Sequence, residues 1–366
     1  MSVTALHSRH TTVADRLVGW DHLEWWVGNA RAVSAWLMGG FGFRCTGYAG
    51  PETGVPDRAS YLLEQGDVRF VVTAALDPDS DVADHVRRHG DGVRYVAFQV
   101  DDAHAVATQL GRLASSVGDE GGTVTTVSLP TYGATEHLFV DRSSYSGTWA
   151  PGFCTDRLPL EPVGPAVGVV AIDHVVGNVE EGRLDDWVAF YESLGFSQLR
   201  HFAADAISTR YSALRSTVVW NGSSIIMPIN EPAPGLRRSQ ITEYLDANRG
   251  PGVQHIALRA PVITDSVAAL RDRGVRFLDM PPAYYEDARA RCGHLALPWP
   301  ELERLGIEID TDDGGYLLQI FTETLTDRPT LFVEIIQREG ATGFGEGNFK
   351  ALFEAIEREQ ARRGNL

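Results

Sequence analysis

Residues 173–178 read DHVVGN, and LGF follows at 194–196; residues 21–29 read DHLEWWVGN, and GFGF follows at 40–43. Both stretches fit a short strand running into a helix. In the later one, Trp187, Phe190, Tyr191 and Leu194 recur at i, i+3, i+4 and i+7, the spacing of an amphipathic helix. A second match pairs GDGVRYVAF (90–98) with GPGVQHIAL (250–258), each a glycine turn followed by alternating apolar residues and hence a strand. A looser third match pairs EHLFVDR (136–142) with VEIIQR (333–338). The chain therefore reads as two homologous halves, residues 1–155 and 169–366, each organised around a DH strand. The stretch Cys154 to Gly168 carries Pro159, Pro162 and Pro165 and suits an extended linker.

The halves differ where chemistry would be. The second contains His174, His255 and Glu334 in three separate strand-like segments, with gaps of 81 (255 − 174) and 79 (334 − 255) residues. Two imidazoles and one carboxylate are the ligand set of non-haem Fe(II) oxygenases, which leaves positions open for substrate and O2. A histidine in an apolar strand is more often a hydrogen-bonded core residue. Glu334 is harder to dismiss, because it lies among Leu331, Phe332, Val333, Ile335 and Ile336, and a buried carboxylate without a partner is costly. A cation is the simplest partner and an arginine the bland alternative. The first half keeps only His22, with Tyr95 aligned to His255 and Leu138 or a neighbour near Glu334, so it is expected to be metal-free. HExxH, GxSxG, Walker and GxGxxG motifs are absent.

The bulk properties narrow the setting. The 366 residues are 43% hydrophobic and 22% charged, values of a soluble globular protein. A formal net charge of −17 argues against a nucleic-acid or anionic-membrane partner. Cys45, Cys154 and Cys292 form no CxxC pair and no disulfide framework, which suits a reducing cytoplasm. The first residues lack a signal-peptide apolar stretch, and no apolar run is long enough to span a bilayer. The chain closes on a helix with Phe349, Leu352, Phe353 and Ile356 in one stripe, Asn348 placed as its N-cap, and Gly364 as its stop. Trp20, Trp25, Trp26 and Trp36 fit a packed core or an inter-subunit surface.

Several longer strings carry a family resemblance: DHVVGNV, MPINEP (227–232), SQITEYL (239–245), GPGVQHIAL, GGYLLQIFT (314–322), DRPTLFVEIIQR (327–338) and GFGEGNFKALFEAIEREQ (343–360). In these the chain resembles the 4-hydroxyphenylpyruvate dioxygenases of the vicinal-oxygen-chelate superfamily. They cover most of 170–366; the first half matches more loosely, through GYAGPETG, ASYLL, GDGV and VDR. The resemblance implies an α+β fold of two tandem domains, each of paired βαβββ modules forming a half-open barrel. It also implies one Fe(2+) per chain, in the C-terminal domain, and a homo-oligomer.

The family's iron ligands fall on His174, His255 and Glu334. Its polar substrate positions fall on Ser216, Asn230, Gln240, Gln254 and Gln319, and its aromatic wall on Phe321, Phe332, Phe344, Phe349 and Phe353, with Asn348 beside them. The stretch from Ser216 to Asn230 is slightly shorter than usual in the family, which leaves Ser212 as a neighbouring alternative. The implied reaction converts an aromatic 2-oxo acid, 4-hydroxyphenylpyruvate, and O2 to homogentisate and CO2 in tyrosine catabolism. The related 4-hydroxymandelate synthases direct oxidation to the benzylic carbon; Pro228, Phe349 and Phe353 have the dioxygenase identities. A non-catalytic binding protein on the same fold is the alternative of a different class, and it has no need of the three ligands.

Overall fold

The computed structural model of the chain describes residues 11–156, 158–202, 213–312 and 314–364, the side chains of 349–352 excepted. In the first half, β1 (Leu17–Trp26), α1 (Ala30–Phe41), β2 (Arg44–Ala49), β3 (Arg58–Gln65) and β4 (Val68–Ala75) make one βαβββ module. After α2 (Asp81–His89), the second module runs through β5 (Gly92–Val100), α3 (Ala103–Leu110), β6 (Ser115–Asp119), β7 (Gly122–Pro130) and β8 (Glu136–Asp141). The order in the eight-stranded sheet is β2-β3-β4-β1-β5-β8-β7-β6. β1 and β5 are antiparallel at the centre, and each is flanked by the last, parallel strand of its own module.

The second half repeats this plan: β9 (Ala171–Asn178), α4 (Leu184–Ser193), β10 (Ser197–Phe202), β11 (Ala213–Trp220) and β12 (Ile226–Ala233) form one module, followed by α5 (Gln240–Asn248). The next comprises β13 (Gly252–Arg259), α6 (Ile263–Asp272), α7 (Pro282–Cys292), α8 (Trp299–Leu305), β14 (Glu308–Asp312), β15 (Gly315–Phe321) and β16 (Phe332–Glu339). Its sheet order, β10-β11-β12-β9-β13-β16-β15-β14, is that of the first sheet with every number advanced by eight. The chain thus forms two pseudo-symmetric half-barrels, and α9 (Phe349–Arg362) is added at the end.

Strand alternation separates core from site. One face of the central strands supplies a continuous apolar core that runs through both halves, from Leu23, Phe98 and Phe139 to Val175, Ile256 and Ile335. The neighbouring positions, one residue along, face the barrel interior. The halves meet closely at Gly177, whose Cα lies against the Tyr132 ring so tightly that a Cβ would collide with it. His137 of the first half and the Tyr191 hydroxyl of the second are hydrogen-bonded at 2.7 Å. Between the sheets, the backbone of Cys154 exchanges hydrogen bonds with Tyr48 at 2.8 and 3.0 Å, which covers part of the β2 edge.

The tryptophans divide by location. Trp25 and Trp26 are buried, Trp20 packs on Phe98, and Trp36 is exposed. Gly364 has the left-handed backbone expected of a stop, with φ of 76°. Asn348 corrects the expectation for its side chain: it occupies the N-cap position of α9 but makes no cap hydrogen bond. Its Oδ1 instead accepts from Tyr284 at 2.8 Å and Arg291 at 3.4 Å. The residue closes a 3-10 turn at Glu346–Asn348 with helical backbone angles, whereas a side-chain cap requires an extended residue.

Candidate metal centre

His174, His255 and Glu334 project from the adjacent strands β9, β13 and β16. Ala257 is the cross-strand partner of both His174 and Glu334, and its small side chain leaves the space between them open. The three ligand atoms lie within 4.8 Å of one another, the one such cluster among the described residues. Glu334 Oε2 is 3.2 Å from His174 Nε2 and 3.5 Å from His255 Nε2. Among the described residues no arginine partners Glu334; Arg338, four residues further along β16, is engaged by Asp173 at 2.9 Å.

The surroundings prepare both imidazoles for a metal. His174 donates from Nδ1 to Asp173 Oδ1 at 2.8 Å, and His255 donates from Nδ1 to Gln254 Oε1 at 3.0 Å. Both Nε2 atoms are thereby directed at the cluster, as a carboxylate–imidazole–metal arrangement requires. A register shift between Val253 and His255 lets consecutive residues Gln254 and His255 both reach the cavity. Burial disfavours charge on every member, and mutual attraction offsets it. Against burial, Glu334 and Asp173 hold His174 up at about 9, and the two imidazoles pull Glu334 down to about 2. For His255 burial prevails and its pKa falls. The cluster is built to hold a positive charge, and its donor set and geometry fit Fe(II).

Around the ligands lies one pocket. Ser216, Asn230, Gln240, Gln254, Phe321, Phe332, Phe344 and Phe353 all line it, as do Pro228 and Val176. Ser216 and Asn230 are cross-strand partners on β11 and β12. Phe332 stacks on the His255 ring at 4.8 Å, while Phe344 meets His174 edge-on at 5.4 Å. Gln319 and Asn348 are buried but do not line the cavity. The side chain of Phe349, and Ser212 altogether, lie outside the described residues. Gln240, Gln254, Phe332 and Ile356 also border a cleft of about 810 Å³ that reaches Trp36 and Asp91 of the first half.

Asp173 and Arg338 were not among the site residues expected from sequence, although DH at 21–22 and 173–174 and the terminal Arg of VDR and IQR carried the signal. The first half-barrel retains the same frame. Arg142 binds Asp21, Asp21 holds His22 at 2.6 Å, and the Trp149 ring stands where Phe344 stands in the second half, 5.4 Å from the imidazole. By strand register Tyr95 occupies the place of His255 and Leu138 that of Glu334. The carboxylate–imidazole pair persists there without the other two ligands.

Residues 171–320 match the model of the Glyoxalase/Bleomycin resistance protein/Dioxygenase superfamily. Fold and triad together define a vicinal-oxygen-chelate enzyme, an Fe(II)-dependent oxygenase with one metal site per chain. The chain is 43% identical over 376 residues to the 4-hydroxyphenylpyruvate dioxygenase of Yarrowia lipolytica, covering 97% of this chain and 95% of that one. Its identity to the Dictyostelium discoideum enzyme of the same name is 45% over 365 residues, 95% of this chain and 100% of that one. A triple variant of 4-hydroxymandelate synthase from Streptomyces coelicolor superposes with a TM-score of 0.81 at 33% identity, over 94% of this chain and 99% of that one. The chain belongs to the 4-hydroxyphenylpyruvate dioxygenase family.

Proposed function

We propose that this enzyme converts 4-hydroxyphenylpyruvate and O2 to homogentisate and CO2, the ring-hydroxylating step of tyrosine catabolism. The observation that carries the reading is that a three-ligand cluster and a wall of five phenylalanines share one pocket. Iron bound by His174, His255 and Glu334 would supply redox chemistry for O2-driven decarboxylation of a chelated 2-oxo acid. The chain's own residues do the rest. Asp173 and Gln254 hold the two imidazoles in the ligating tautomer. Phe321, Phe332, Phe344 and Phe353 exclude water and confine the substrate ring, while Ser216, Asn230, Gln240 and Gln254 offer hydrogen bonds to its polar groups. Pro228 lines the same cavity and fixes the backbone two residues before Asn230.

One oxygen atom of O2 enters the new carboxylate and the other the ring, with the side chain migrating to the adjacent ring carbon. The substrate contains its own 2-oxo acid, so no separate 2-oxoglutarate is required. Turnover of the Fe(II)-loaded enzyme, followed by O2 electrode and CO2 release, should show one-to-one stoichiometry without added 2-oxoglutarate. An absolute need for 2-oxoglutarate would refute the reading.

The wider setting forms part of the same proposal: a cytoplasmic homo-oligomer with no nucleic-acid partner, divided into domains at residues 1–155 and 169–366. The net charge of −17 and the three free cysteines support the location and the absence of a polyanionic partner. Among the described residues no helix is long and apolar enough to cross a membrane.

A further inference from the structure

Glu308 is a second fully buried carboxyl group in the catalytic half-barrel, with no part in the metal cluster. It opens β14, and apart from the Gln319 carboxamide within reach neither carboxyl oxygen has a hydrogen-bond partner. Its cross-strand neighbour is Gln319, which is 1% exposed and whose Nε2 is likewise unpartnered. Gln319 is in turn paired with Ile336 on β16, and two residues along the same strands Phe321 is paired with the metal ligand Glu334. The carboxamide of Gln319 lies directly against Gly345 Cα, where any Cβ would strike it. That glycine follows the pocket residue Phe344 and precedes Asn348, whose Nδ2 is also unpartnered. The edge of the sheet at β14 and β15 therefore brings one buried acid together with the unsatisfied amide nitrogens of Gln319 and Asn348.

We propose that Glu308 is a positioning residue for substrate recognition, which fixes the Gln319 carboxamide in one orientation behind the pocket wall formed by Phe321 and Phe344. The inference rests on the proposed function and adds to it Gln319, which the sequence resemblance places among the polar substrate positions.

The chemistry of the pair supports this role. Among the described residues no cation partners Glu308: the nearby Arg291 is bound to Asp310 at 2.8 Å. Burial pushes the Glu308 carboxyl well above its ordinary range, and the charge of Glu334 adds to that. As a neutral acid it offers one O–H donor and one carbonyl acceptor, the complement of a carboxamide. Directly opposed cross-strand side chains are close enough for both bonds to form. A carboxamide held on both atoms loses its freedom to rotate, and its remaining N–H keeps one direction. Without that partner, Gln319 would be a buried amide free to turn, and the substrate would have to order it on binding.

The test is anaerobic titration of the Fe(II)-loaded full-length enzyme with 4-hydroxyphenylpyruvate, read by the visible absorption that 2-oxo acid chelation to Fe(II) produces. Glu308→Leu should raise the dissociation constant and KM about tenfold, equivalent to about 1.4 kcal/mol, with iron content and Tm close to wild type. Glu308→Gln, which keeps a donor and an acceptor, should restore binding to within about twofold. Glu308→Asp, which withdraws the acid from Gln319, should weaken binding as Glu308→Leu does and serves if the leucine variant does not fold. If Glu308 acts through Gln319, the double variant Glu308→Leu/Gln319→Leu should bind no more weakly than Gln319→Leu alone. Wild-type affinity in both Glu308→Leu and Glu308→Asp, or full additivity in the double variant, would overturn the proposal. Failure of the wild-type enzyme to develop the absorption would instead count against the proposed substrate.

Discussion

Arg142 grips Asp21 in the first half-barrel at 2.9 Å, and at the equivalent position of the second half-barrel Arg338 grips Asp173 at the same distance. Each aspartate orients the histidine that follows it, His22 or His174. The two halves thus share a frame, and only one of them completes it with a second imidazole and a carboxylate. A buried ion pair ties the strands together in both halves, whether or not a metal cluster stands beside it.

The register identifies what the first half lacks. Replacing Tyr95 with His and Leu138 with Glu should place a second ligand set around His22, since Ala97 separates these positions as Ala257 does in the second half. Metal analysis of the Tyr95→His/Leu138→Glu variant should find a second equivalent of divalent metal. Retention of a single equivalent in a folded variant would show that the matching frame is insufficient.

The two aspartates should separate metal binding from folding. Asp173→Asn removes the carboxylate that holds His174 and should weaken Fe(II) affinity about 10- to 100-fold, measured by competition with a chelator. Asp21→Asn breaks the equivalent pair and should leave metal affinity unchanged. It should lower stability by about 3 kcal/mol, because Arg142 loses its buried partner. Denaturant unfolding measures that loss, and an equal effect of both variants on iron affinity would contradict the separation.

Metal binding should release protons near neutrality. In the metal-free protein Glu334 and Asp173, working against burial, hold the His174 pKa at about 9, above its ordinary 6.5. The group is therefore protonated at pH 7, and a metal must displace that proton. The sign for stability is the reverse. The His174 contribution to the metal-free fold is fully present below 6.5 and is lost as pH rises through about 9. Metal affinity should climb over the same window. Adding metal to weakly buffered protein with a pH indicator should release about one proton per ion at pH 7, and no release would contradict this assignment.

The sequence made the repeat visible because its signal is local: a DH strand, a glycine turn and a periodic helix each lie within a dozen or so residues. It likewise exposed Glu334, since a carboxylate in an apolar strand conflicts with its neighbours. What escaped depended on partners far apart in the chain. Asp173 gains its meaning from Arg338, 165 residues away, and Asn348 is diverted from capping by Tyr284, 64 residues away. Glu308 sits in a strand that reads as alternating and half-exposed, IEIDTDD. Only the folded sheet shows that its side chain is turned inward beside Gln319. Long-range pairing of this kind has no period for a sequence pattern to reveal.

The most direct test of the account is the identity of the product. The enzyme, loaded anaerobically with Fe(II) and 4-hydroxyphenylpyruvate and then exposed to O2, should yield homogentisate as the main chromatographic peak, with one iron per chain. In the proposed function, confinement of the ring by Phe353 and its neighbours in the pocket would underlie that outcome. A difference of about 1.4 kcal/mol between ring and benzylic oxidation already gives a tenfold bias. 4-Hydroxymandelate as the main product would contradict the account of the pocket, and absence of any oxidised product from the iron-loaded enzyme would contradict the account as a whole.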